Sequence, residues 1–421
     1  MSTHPPTRHA RFRALASAAA VAIALTVVSA GPAAAQPTSS IRNMNAQNAI
    51  TGSYIVVFKD GAVPKTDVGT VTDRLASEHR AAVGFRYSHA IRGFSAKMTS
   101  AQAKRLSIDP TVAFVEQDRR VTINAIQSPT PSWGLDRLSQ RSLPLNNTFS
   151  YAATGAGVTA YVIDTGIRLT HDDFGGRAVW GTNTTGDGND TDCNGHGTHV
   201  SGTIGGTAFG VAKTVKLVAV KVLGCTGSGS LSAVAAGVDW VTANHTSGPA
   251  VANLSLGTTG SDSAVESAIR SSISDGVVYG IASGNSNDNA CTVTPARVAE
   301  AITVNATESD DARASFSNYG SCTDIFAPGQ DITSDWNTSD TATETFSGTS
   351  MAAPHVVGAA AVILSATPTA TPAQVASTMI ANSTMGKVRN PGTDSPNRLL
   401  YTGTLEPPRY RPHFRQPAVS R

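Results

Sequence analysis

Charged residues are scarce in this chain, and the two signs nearly balance. Asp, Glu, Lys and Arg make up 15% of its 421 residues, and the formal net charge at pH 7 is +2. So small an excess gives no reason to expect a nucleic acid or an anionic membrane as a partner. Hydrophobic residues, at 40%, are enough to bury a sizeable core. The low charge and the many Ser, Thr, Asn and Gly residues are typical of a secreted protein.

The chain also lacks an apolar run long enough to span a membrane. Its N-terminal run, Ala14 to Val28, falls short of the ~20 residues that a spanning helix needs. Three separated arginines precede this run, and the small residues Gly31 to Ala35 follow it. That three-part pattern predicts a secretory signal peptide over residues 1–35, with a membrane anchor as the weaker alternative. We therefore expect a secreted, extracellular protein.

Cysteine is sparse, and all four cysteines lie in the second half of the chain: Cys193, Cys225, Cys291 and Cys322. An even number in a secreted chain predicts two disulfides, for which three pairings are possible. Sequential pairing would close two loops of similar length. A zinc site is the competing interpretation, because Cys193 and His196 have a C-x-x-H spacing. No second such pair supports it.

A small α+β domain is predicted over about residues 52–122. Its elements follow the order β-α-β-β-α-β, which suits a ferredoxin-like sandwich. It contains no convincing catalytic cluster. The predicted elements are a strand Tyr54–Phe58, a helix over Val68–Leu75, a strand pair within Phe85–Met98, a helix Ser100–Leu106 capped by Ser100, and a strand Val112–Val121.

Beyond a proline-containing linker, buried strands alternate with helices. This alternation predicts an α/β domain with a doubly wound, mostly parallel sheet covered by helices on both faces. In such a fold, active residues collect at the carboxyl ends of the strands. The tail, residues 405–421, is rich in proline and arginine and is predicted to be disordered. The predicted strands are Val158–Ile163, Val215–Leu223, Val251–Leu256, Val277–Ala282 and Ala301–Val304, and the helices are Val200–Gly206, Leu231–Asn244, Ser263–Ser274, Met351–Ser365 and Pro372–Ala381.

Four polar residues stand at the predicted strand ends and helix starts. Asp164 ends a strand, His196 opens a helix, Asn285 ends another strand, and Ser350 enters the first turn of an apolar helix. Singly, each has an ordinary explanation, such as a turn residue or a helix cap. Together they supply a hydroxyl, a base, an orienting carboxylate and an amide donor. His199, one turn further along its helix, is interpreted as structural.

Three sequence blocks carry a family resemblance: Asp164-Thr-Gly-Ile, His196-Gly-Thr-His-Val-Ser-Gly-Thr and Gly348-Thr-Ser-Met-Ala-Ala-Pro-His-Val. They resemble the signature blocks of the subtilisin-like serine proteases, or subtilases (peptidase family S8). The order Asp, His, Ser is that of subtilisin. The chain is similar to the proteinase K group and most like its aqualysin-type secreted bacterial members. Residues 125–404 would be the catalytic domain, and residues 36–124 resemble the inhibitory propeptide of this family.

The resemblance implies a role for each of these residues. Ser350 would be the nucleophile, His196 the general base and then acid, and Asp164 the residue that orients the imidazole. Asn285 and the Ser350 backbone N–H would form the oxyanion hole. Substrate would lie as an added strand beside a permissive, apolar pocket. The implied substrate-binding residues are Gly227, Ser228, Gly229, Ser255, Leu256, Gly257, Ala282, Ser283 and Gly284.

The resemblance also favours the sequential cysteine pairing and implies structural Ca²⁺, with no catalytic metal. Asp324, with the backbone carbonyls of Ala299 and Ala301, matches a calcium site of the family, and hard oxygen ligands suit this ion. A second site, near Asp136, Gln140 and Asn146, is only partly matched.

The expected protein is thus a monomeric, secreted serine endopeptidase of broad specificity with an apolar preference. It would act on proteins and peptides through an acyl-enzyme, and it would be made as a self-cleaving precursor that its own propeptide inhibits. Two alternatives are weaker. A binding protein that has lost activity would not need all four catalytic positions filled. An esterase or lipase would carry a Gly-x-Ser-x-Gly elbow and a different chain order.

Overall fold

The computed structural model describes residues 41–46, 49–119 and 125–403. The predicted signal peptide (1–35), the end of the predicted propeptide (120–124) and the predicted tail (405–421) lie outside the described residues. The chain forms two compact units, one built on residues 52–116 and the other mainly on residues 117 onward.

The first unit has the predicted order β-α-β-β-α-β, with one additional two-residue strand at its beginning. The sheet order is β1-β5-β2-β4-β3, and a single apolar core includes Val56, Leu75 and Phe94. The elements are β1 (Ile41–Arg42), β2 (Ala49–Phe58), α1 (Val68–His79), β3 (Ala82–Tyr87), β4 (Gly93–Lys97), α2 (Ser100–Leu106) and β5 (Val112–Arg119).

Helix α2 has the predicted bounds but not the predicted cap. Thr99 Oγ1 accepts a hydrogen bond from the backbone N–H of Gln102 (3.3 Å), and Gln102 Oε1 accepts one from the Thr99 N–H (2.6 Å). This reciprocal pair is a capping box, which a T-x-x-Q spacing provides. The prediction of Ser100 as the cap is therefore wrong by one residue.

The second unit contains the alternating strands and helices. Its elements are β6 (Ala125–Gln127), α3 (Trp133–Leu138), β7 (Phe149–Tyr151), β8 (Thr159–Asp164), β9 (Ala178–Asn183), α4 (His196–Gly205), β10 (Lys216–Lys221), α5 (Leu231–Asn244), β11 (Ala250–Leu254), β12 (Thr258–Thr259), α6 (Ser263–Ser274), β13 (Val277–Ala282), β14 (Val293–Thr294), β15 (Ile302–Thr307), β16 (Ile325–Pro328), β17 (Ile332–Asp335), β18 (Thr343–Phe346), α7 (Thr349–Ala366), α8 (Pro372–Asn382), β19 (Thr384–Met385) and β20 (Arg398–Leu399).

A nine-stranded sheet organises this unit. Its order is β19-β20-β16-β15-β13-β11-β8-β10-β9, and only the β19–β20 pair is antiparallel. The chain leaves β8 towards β9 and β10 on one side, and then continues to β11 on the other side. This change of direction creates a crevice at the carboxyl end of β8, where ligands bind in open α/β sheets.

Alternate residues of β8 face two separate apolar cores. Ala160 and Val162 pack with α4 and α7, whereas Tyr161 and Ile163 pack with α5 and α6. Burial on both faces explains why the strands are continuous apolar runs. The predicted doubly wound α/β fold is confirmed.

Within the described residues, only α7 is long and apolar enough to cross a membrane, and 83% of it is buried. Its Ala- and Val-rich sequence is explained by contact with β11, β13, β15 and β16 on one face of the sheet. The sequence predicts this buried helix, although it begins two residues earlier than expected.

Candidate active site

Asp164 and His196 meet at the carboxyl end of β8. Asp164 is the last residue of β8 and is fully buried, and His196 is the first residue of α4. His196 Nδ1 lies 2.7 Å from Asp164 Oδ1. Because a carboxylate can only accept, Nδ1 carries the proton, and Nε2 is left as a proton acceptor. The imidazole has the tautomer of a general base.

The backbone before His196 has a conformation that requires glycine. Gly195 has a φ of +112°. A Cβ at this position would lie 2.4 Å from the ring of Trp336. Glycine tolerates both constraints, and it lets α4 begin directly at the histidine.

The pKa of His196 reflects opposing effects. Burial disfavours the imidazolium and lowers the pKa, but the charge and hydrogen bond of Asp164, together with the charge of Asp192, outweigh it. The net result is a pKa above the ordinary value for histidine. The site thus favours the charged, imidazolium form of His196.

Ser350 is the second residue of α7 and is not its cap. The N-cap is Gly348, which leaves the Ser350 side chain free of a capping role. Ser350 Oγ donates to the backbone carbonyl of Ser255 at 3.1 Å, rather than to His196. Its own N–H lies in the first turn of a helix, where backbone donors have no acceptor within the helix.

A proline in α7 explains a second contact of the same serine. Pro354 lacks the N–H that would bond to the carbonyl four residues earlier, which belongs to Ser350. Ser255 Oγ donates to this carbonyl at 2.8 Å, and it is itself contacted by the side-chain amide of Asn253 at 2.9 Å. A side chain from the end of β11 thus supplies the donor that the helix lacks.

Asn285 follows β13 and lies against the first turn of α7. Its Oδ1 accepts hydrogen bonds from the N–H and the hydroxyl of Thr349, both at 2.8 Å. These bonds fix which amide atom faces the serine. Nδ2 is directed towards the Gly348 turn, 3.4 Å from a Cβ built on that glycine. An amide donor and the Ser350 N–H are therefore near each other.

The turn before Asn285 is braced by Asn318, which sequence reasoning missed. Gly284 has a φ of +107°, and a Cβ there would lie 2.4 Å from Asn318 Nδ2. This amide donates to the Ser283 carbonyl at 2.9 Å. Its oxygen accepts from the N–H groups of Ser286 and Asp288, both at 3.0 Å. A distant asparagine thus holds the turn in a single conformation.

Two adjoining cavities border these residues. The larger, about 670 Å³, is lined by His196 and by two of the predicted substrate-binding segments, Gly227–Gly229 and Ser255–Gly257. The smaller, about 280 Å³, is lined by Ala282, Gly284, Asn285 and Ser350, among others. Among their described lining residues there is no Asp, Glu, Lys or Arg. Ser283, which is fully buried, lines neither cavity.

The four cysteines form two disulfides in sequential order, Cys193–Cys225 and Cys291–Cys322. The first removes the zinc interpretation, because a disulfide sulfur is not a thiolate ligand. His199, the other histidine of the block, is fully buried, and its Nε2 bonds to the Ile332 carbonyl at 3.0 Å. Burial lowers the pKa of His199 to about 4, so it is a neutral packing residue.

Asp324 lies beside the strand that follows Ala301. Its Oδ2 accepts from the Thr303 N–H at 2.8 Å. Burial raises the pKa of Asp324 to about 6, although the Thr303 bond and the charge of Arg398 lower it. Among the described residues no group of three His, Cys, Asp or Glu side chains is placed to hold a metal. A cation at Asp324 would therefore depend on one carboxylate and backbone carbonyls, which is a donor set that suits Ca²⁺.

The residues of the second, only partly matched calcium site, Asp136, Gln140 and Asn146, also lie close together. Asp136 accepts from the side chain of Gln140 and from the N–H groups of Asn146 (3.4 Å) and Asn147 (2.5 Å). Both oxygens of this carboxylate thus accept hydrogen bonds from protein groups.

Several residues that support the site carry only a weak sequence signal. Thr165, Asp192, Lys221 and Thr349 contact the four predicted residues or their immediate neighbours, and all four are buried. Lys221 Nζ, for example, donates to the carbonyl of Thr165 at 2.8 Å. Asp192 lies four residues before the start of α4, whose N-cap is Gly195, so no capping signal points to it.

Comparisons with known proteins match both units. The model of the subtilase family, peptidase S8, matches residues 155–400, and the model of peptidase inhibitor I9 matches residues 53–124. Over 389 residues the chain is 49% identical to an extracellular serine proteinase of Thermus sp. strain Rt41A, covering 88% of this chain and 94% of that protein. Over 369 residues it is 48% identical to alkaline serine exoprotease A of Vibrio alginolyticus, covering 85% and 68%.

A solved structure shares the fold. A cold-adapted subtilisin-like serine proteinase is 50% identical to the chain, with a TM-score of 0.63. The alignment covers 65% of this chain and 99% of that one. The alignment therefore includes nearly all of the solved chain, and about a third of this chain lies outside it.

Proposed function

The chain belongs to the subtilase family of serine proteases, and on that premise we propose that it is an extracellular endopeptidase made as a self-cleaving precursor. Ser350, His196 and Asp164 form its catalytic triad. The observation that carries this assignment is the 2.7 Å contact between His196 Nδ1 and the buried Asp164. It leaves Nε2 as a base beside the larger cavity, which adjoins the smaller cavity that Ser350 lines.

The reaction begins when Ser350 Oγ leaves the Ser255 carbonyl and gives its proton to His196 Nε2. Oγ attacks the scissile carbonyl, and the resulting oxyanion accepts hydrogen bonds from Asn285 Nδ2 and the Ser350 N–H. His196 then protonates the leaving amine, which departs and leaves an acyl-serine. Water, deprotonated by His196, hydrolyses this ester in the second half of the reaction. Asp164 stabilises the imidazolium in both halves.

Substrate would bind as an extended strand between Gly227–Gly229 and Ser255–Gly257. The residue before the cut would enter the 280 Å³ cavity. Because the described lining residues of both cavities include no charged carboxylate, ammonium or guanidinium group, an apolar side chain is preferred at that position. Small lining residues such as Ala282 and Gly284 favour broad specificity.

The precursor has four segments in this proposal: a signal peptide (1–35), an inhibitory propeptide (36–124), a catalytic domain (125–404) and a tail (405–421). The inhibitor I9 match ends at residue 124. This boundary supports cleavage near Ala125. The extracellular name of the Thermus relative supports secretion of this chain.

The test of the proposed function is digestion of casein and of a peptide blocked at both ends. The blocked peptide is informative because the Vibrio relative is named an exoprotease, and an enzyme that needs a free terminus cannot cut it. Wild-type enzyme should cleave both substrates, and Ser350→Ala should cleave neither. Undiminished cleavage by Ser350→Ala would overturn the assignment.

The pH dependence tests the role of His196 separately. The base must be neutral to accept a proton, so kcat/KM should fall on the acid side as His196 becomes charged. Because its pKa is raised, the midpoint should lie above the ordinary ~6.5 of histidine. A kcat/KM that stays constant from pH 5 to 9 would rule out a histidine base.

Maturation provides a third test. In the Ser350→Ala protein the precursor should remain uncut, and N-terminal sequencing of the wild-type product should begin near Ala125. Processing at the same bond without Ser350 would show that another protease performs it.

A structural Ca²⁺ bound by Asp324 and the carbonyls of Ala299 and Ala301 is part of the proposal. The ion would neutralise a partly buried carboxylate and link the residues before β15 to those before β16. In enzyme blocked by a serine-directed inhibitor, Ca²⁺ should raise Tm and EDTA should lower it. Asp324→Asn should abolish most of that difference, and a Ca²⁺-dependent Tm that persists in Asp324→Asn would remove this site from the account.

A further inference from the structure

A second buried carboxylate lies close to His196 and takes no part in the proposed reaction. Asp192 is 5% exposed. Its Oδ1 accepts from the N–H groups of Asn194 (3.0 Å) and Gly195 (2.8 Å) and from the hydroxyl of Thr165 (2.9 Å). Its Oδ2 accepts from the N–H (2.9 Å) and the hydroxyl (2.6 Å) of Thr198. Five donors therefore converge on a single side chain.

The backbone donors lie on both sides of His196 in the sequence. Gly195 directly precedes the histidine, and Thr198 lies two residues beyond it. Gly195 is the N-cap of α4 and Thr198 lies in its first turn, so their N–H groups have no acceptor within the helix, and the Asn194 N–H directly precedes them. Asp192 thus sets the direction in which α4 begins, and with it the position of the imidazole.

Thr165 extends this network to the other half of the Asp164–His196 pair. Its hydroxyl donates to Asp192 and accepts from the Gly197 N–H at 2.9 Å. Thr165 directly follows Asp164, whereas Gly197 directly follows His196. One hydroxyl therefore joins the end of β8 to the first turn of α4.

Asp192 also contributes charge. All five of its donors are neutral, and among the described residues Asp192 forms no ion pair. The positive end of the α4 dipole would disfavour a charged His196, and Asp192 opposes that effect. The other ionisable groups that act on or are acted on by His196 are Asp164 on β8 and His199 on α4 itself. Lys221 on β10 lies one contact further away, where its Nζ donates to the Thr165 carbonyl.

We propose that Asp192 is a positioning residue of the active site: it fixes the β8 end relative to the first turn of α4, and its charge stabilises the His196 imidazolium during catalysis. This proposal rests on the proposed function. A carboxylate that served only as a helix cap would change stability alone. A positioning residue must also change kcat and the pH profile.

The decisive variant is Asp192→Asn in the mature enzyme, assayed with a blocked peptide from pH 5 to 10. We expect kcat to fall between about 10-fold and 10²-fold, the scale of a small misplacement of a catalytic group, with KM nearly unchanged. The acid limb of kcat/KM should move to lower pH by on the order of 0.5 pH unit, because a nearby negative charge is gone.

A matched control removes the same charge elsewhere. Asp275 Oδ2 lies 2.8 Å from His245 Nδ1. His245 precedes the start of β11, and Asp275 precedes the start of β13. They therefore lie at the sheet edge opposite the active site. Asp275→Asn should leave kcat and the acid limb unchanged.

The hydroxyl of Thr165 gives an independent test if Asp192→Asn does not fold. Thr165→Val removes the bridge and should lower kcat, whereas Thr165→Ser restores a hydroxyl and should recover much of the loss. If Asp192→Asn loses stability but keeps the wild-type kcat and acid limb, the proposal is wrong. An active Ser350→Ala enzyme would instead refute the proposed function itself.

Discussion

Ser255 and Ser350 exchange two hydrogen bonds: Ser255 Oγ donates to the Ser350 carbonyl at 2.8 Å, and Ser350 Oγ donates to the Ser255 carbonyl at 3.1 Å. The first bond replaces the helical N–H that Pro354 cannot supply. The end of β11 and the start of α7 are thereby joined at the proposed nucleophile. Ser255 therefore acts on Ser350 as well as lining the cleft.

Removal of the Ser255 hydroxyl should lower kcat. Ser255→Ala leaves a buried carbonyl without a donor, which costs about 1–3 kcal/mol, and the first turn of α7 loses its anchor. The informative experiment is a double-mutant cycle with Pro354→Ala, which restores an N–H four residues after Ser350. In that background, Ser255→Ala should lower kcat by a smaller factor. Losses that simply multiply would show that the two residues act independently.

The Asn285–Thr349 contact predicts a graded effect on turnover. Asn285→Ala removes an oxyanion donor and should lower kcat by roughly 10²–10³-fold with little change in KM, a magnitude that comes from subtilisin itself. Thr349→Val removes one of the two bonds that orient the amide and should cost less. Thr349→Ser, which keeps the hydroxyl, should be closest to wild type. Equal kcat for the Val and Ser variants would contradict this orienting role.

The two disulfides should differ in their effect on activity. They join residues 32 and 31 positions apart, so replacing either pair by serines should cost about 3–4 kcal/mol in the free energy of unfolding. Loss of Cys193–Cys225 should also lower kcat. Asn194, which lies two residues before His196, donates from Nδ2 to the Cys225 carbonyl at 3.0 Å, so the disulfide helps to hold the segment that leads into the histidine. Urea unfolding and steady-state kinetics on both double variants measure these effects. Equal kcat for the two would refute the difference.

Asp335 makes the stability of the second unit dependent on pH. It is fully buried at the end of β17, and His171 Nδ1 lies 3.6 Å from its Oδ1. Burial, together with the charge and hydrogen bonding of Asp173, raises the pKa of Asp335 to about 9, although Arg177 lowers it. The folded protein therefore retains a proton that the unfolded chain loses near pH 4.

The sign of the effect follows from proton linkage. Between about pH 4 and pH 9 the folded state binds one more proton than the unfolded state, so the free energy of unfolding falls as pH rises. Asp335→Asn cannot ionise, and its Tm relative to wild type should increase from pH 5 to pH 9 in inhibitor-blocked enzyme. Asp310→Asn, at an exposed carboxylate with a lowered pKa, should show a constant difference. A constant difference for Asp335→Asn as well would contradict the prediction.

Much of the architecture could be predicted from periodicity and chain order. Helices Leu231–Asn244 and Ser263–Ser274 and strand Val277–Ala282 have the predicted bounds, because their apolar faces and bounding residues are local features. Helix α4 begins at His196, where the sequence also predicts a helix start, whereas the apolar run alone would place its start four residues later, at Val200. The first turn of α4 is polar and is held by Asp192, so apolar periodicity does not detect it.

The supporting contacts of the site could not be predicted in the same way. Asn318 and Thr349 act on Asn285 or on its turn from 30 to 65 positions away. Such contacts depend on which strands become neighbours, and a sequence does not display that directly. The Ser350 hydroxyl bond to Ser255 likewise arises from the adjacency of β11 and α7.

The most direct test of the central claim is peptide mapping after treatment with a fluorophosphonate, which reacts with activated serines. We predict a single adduct, on Ser350, whose extent rises in parallel with the loss of caseinolytic activity. Prior mutation of His196 to alanine should prevent the labelling. Complete inactivation with the adduct on another residue, or full activity with Ser350 completely labelled, would contradict the account.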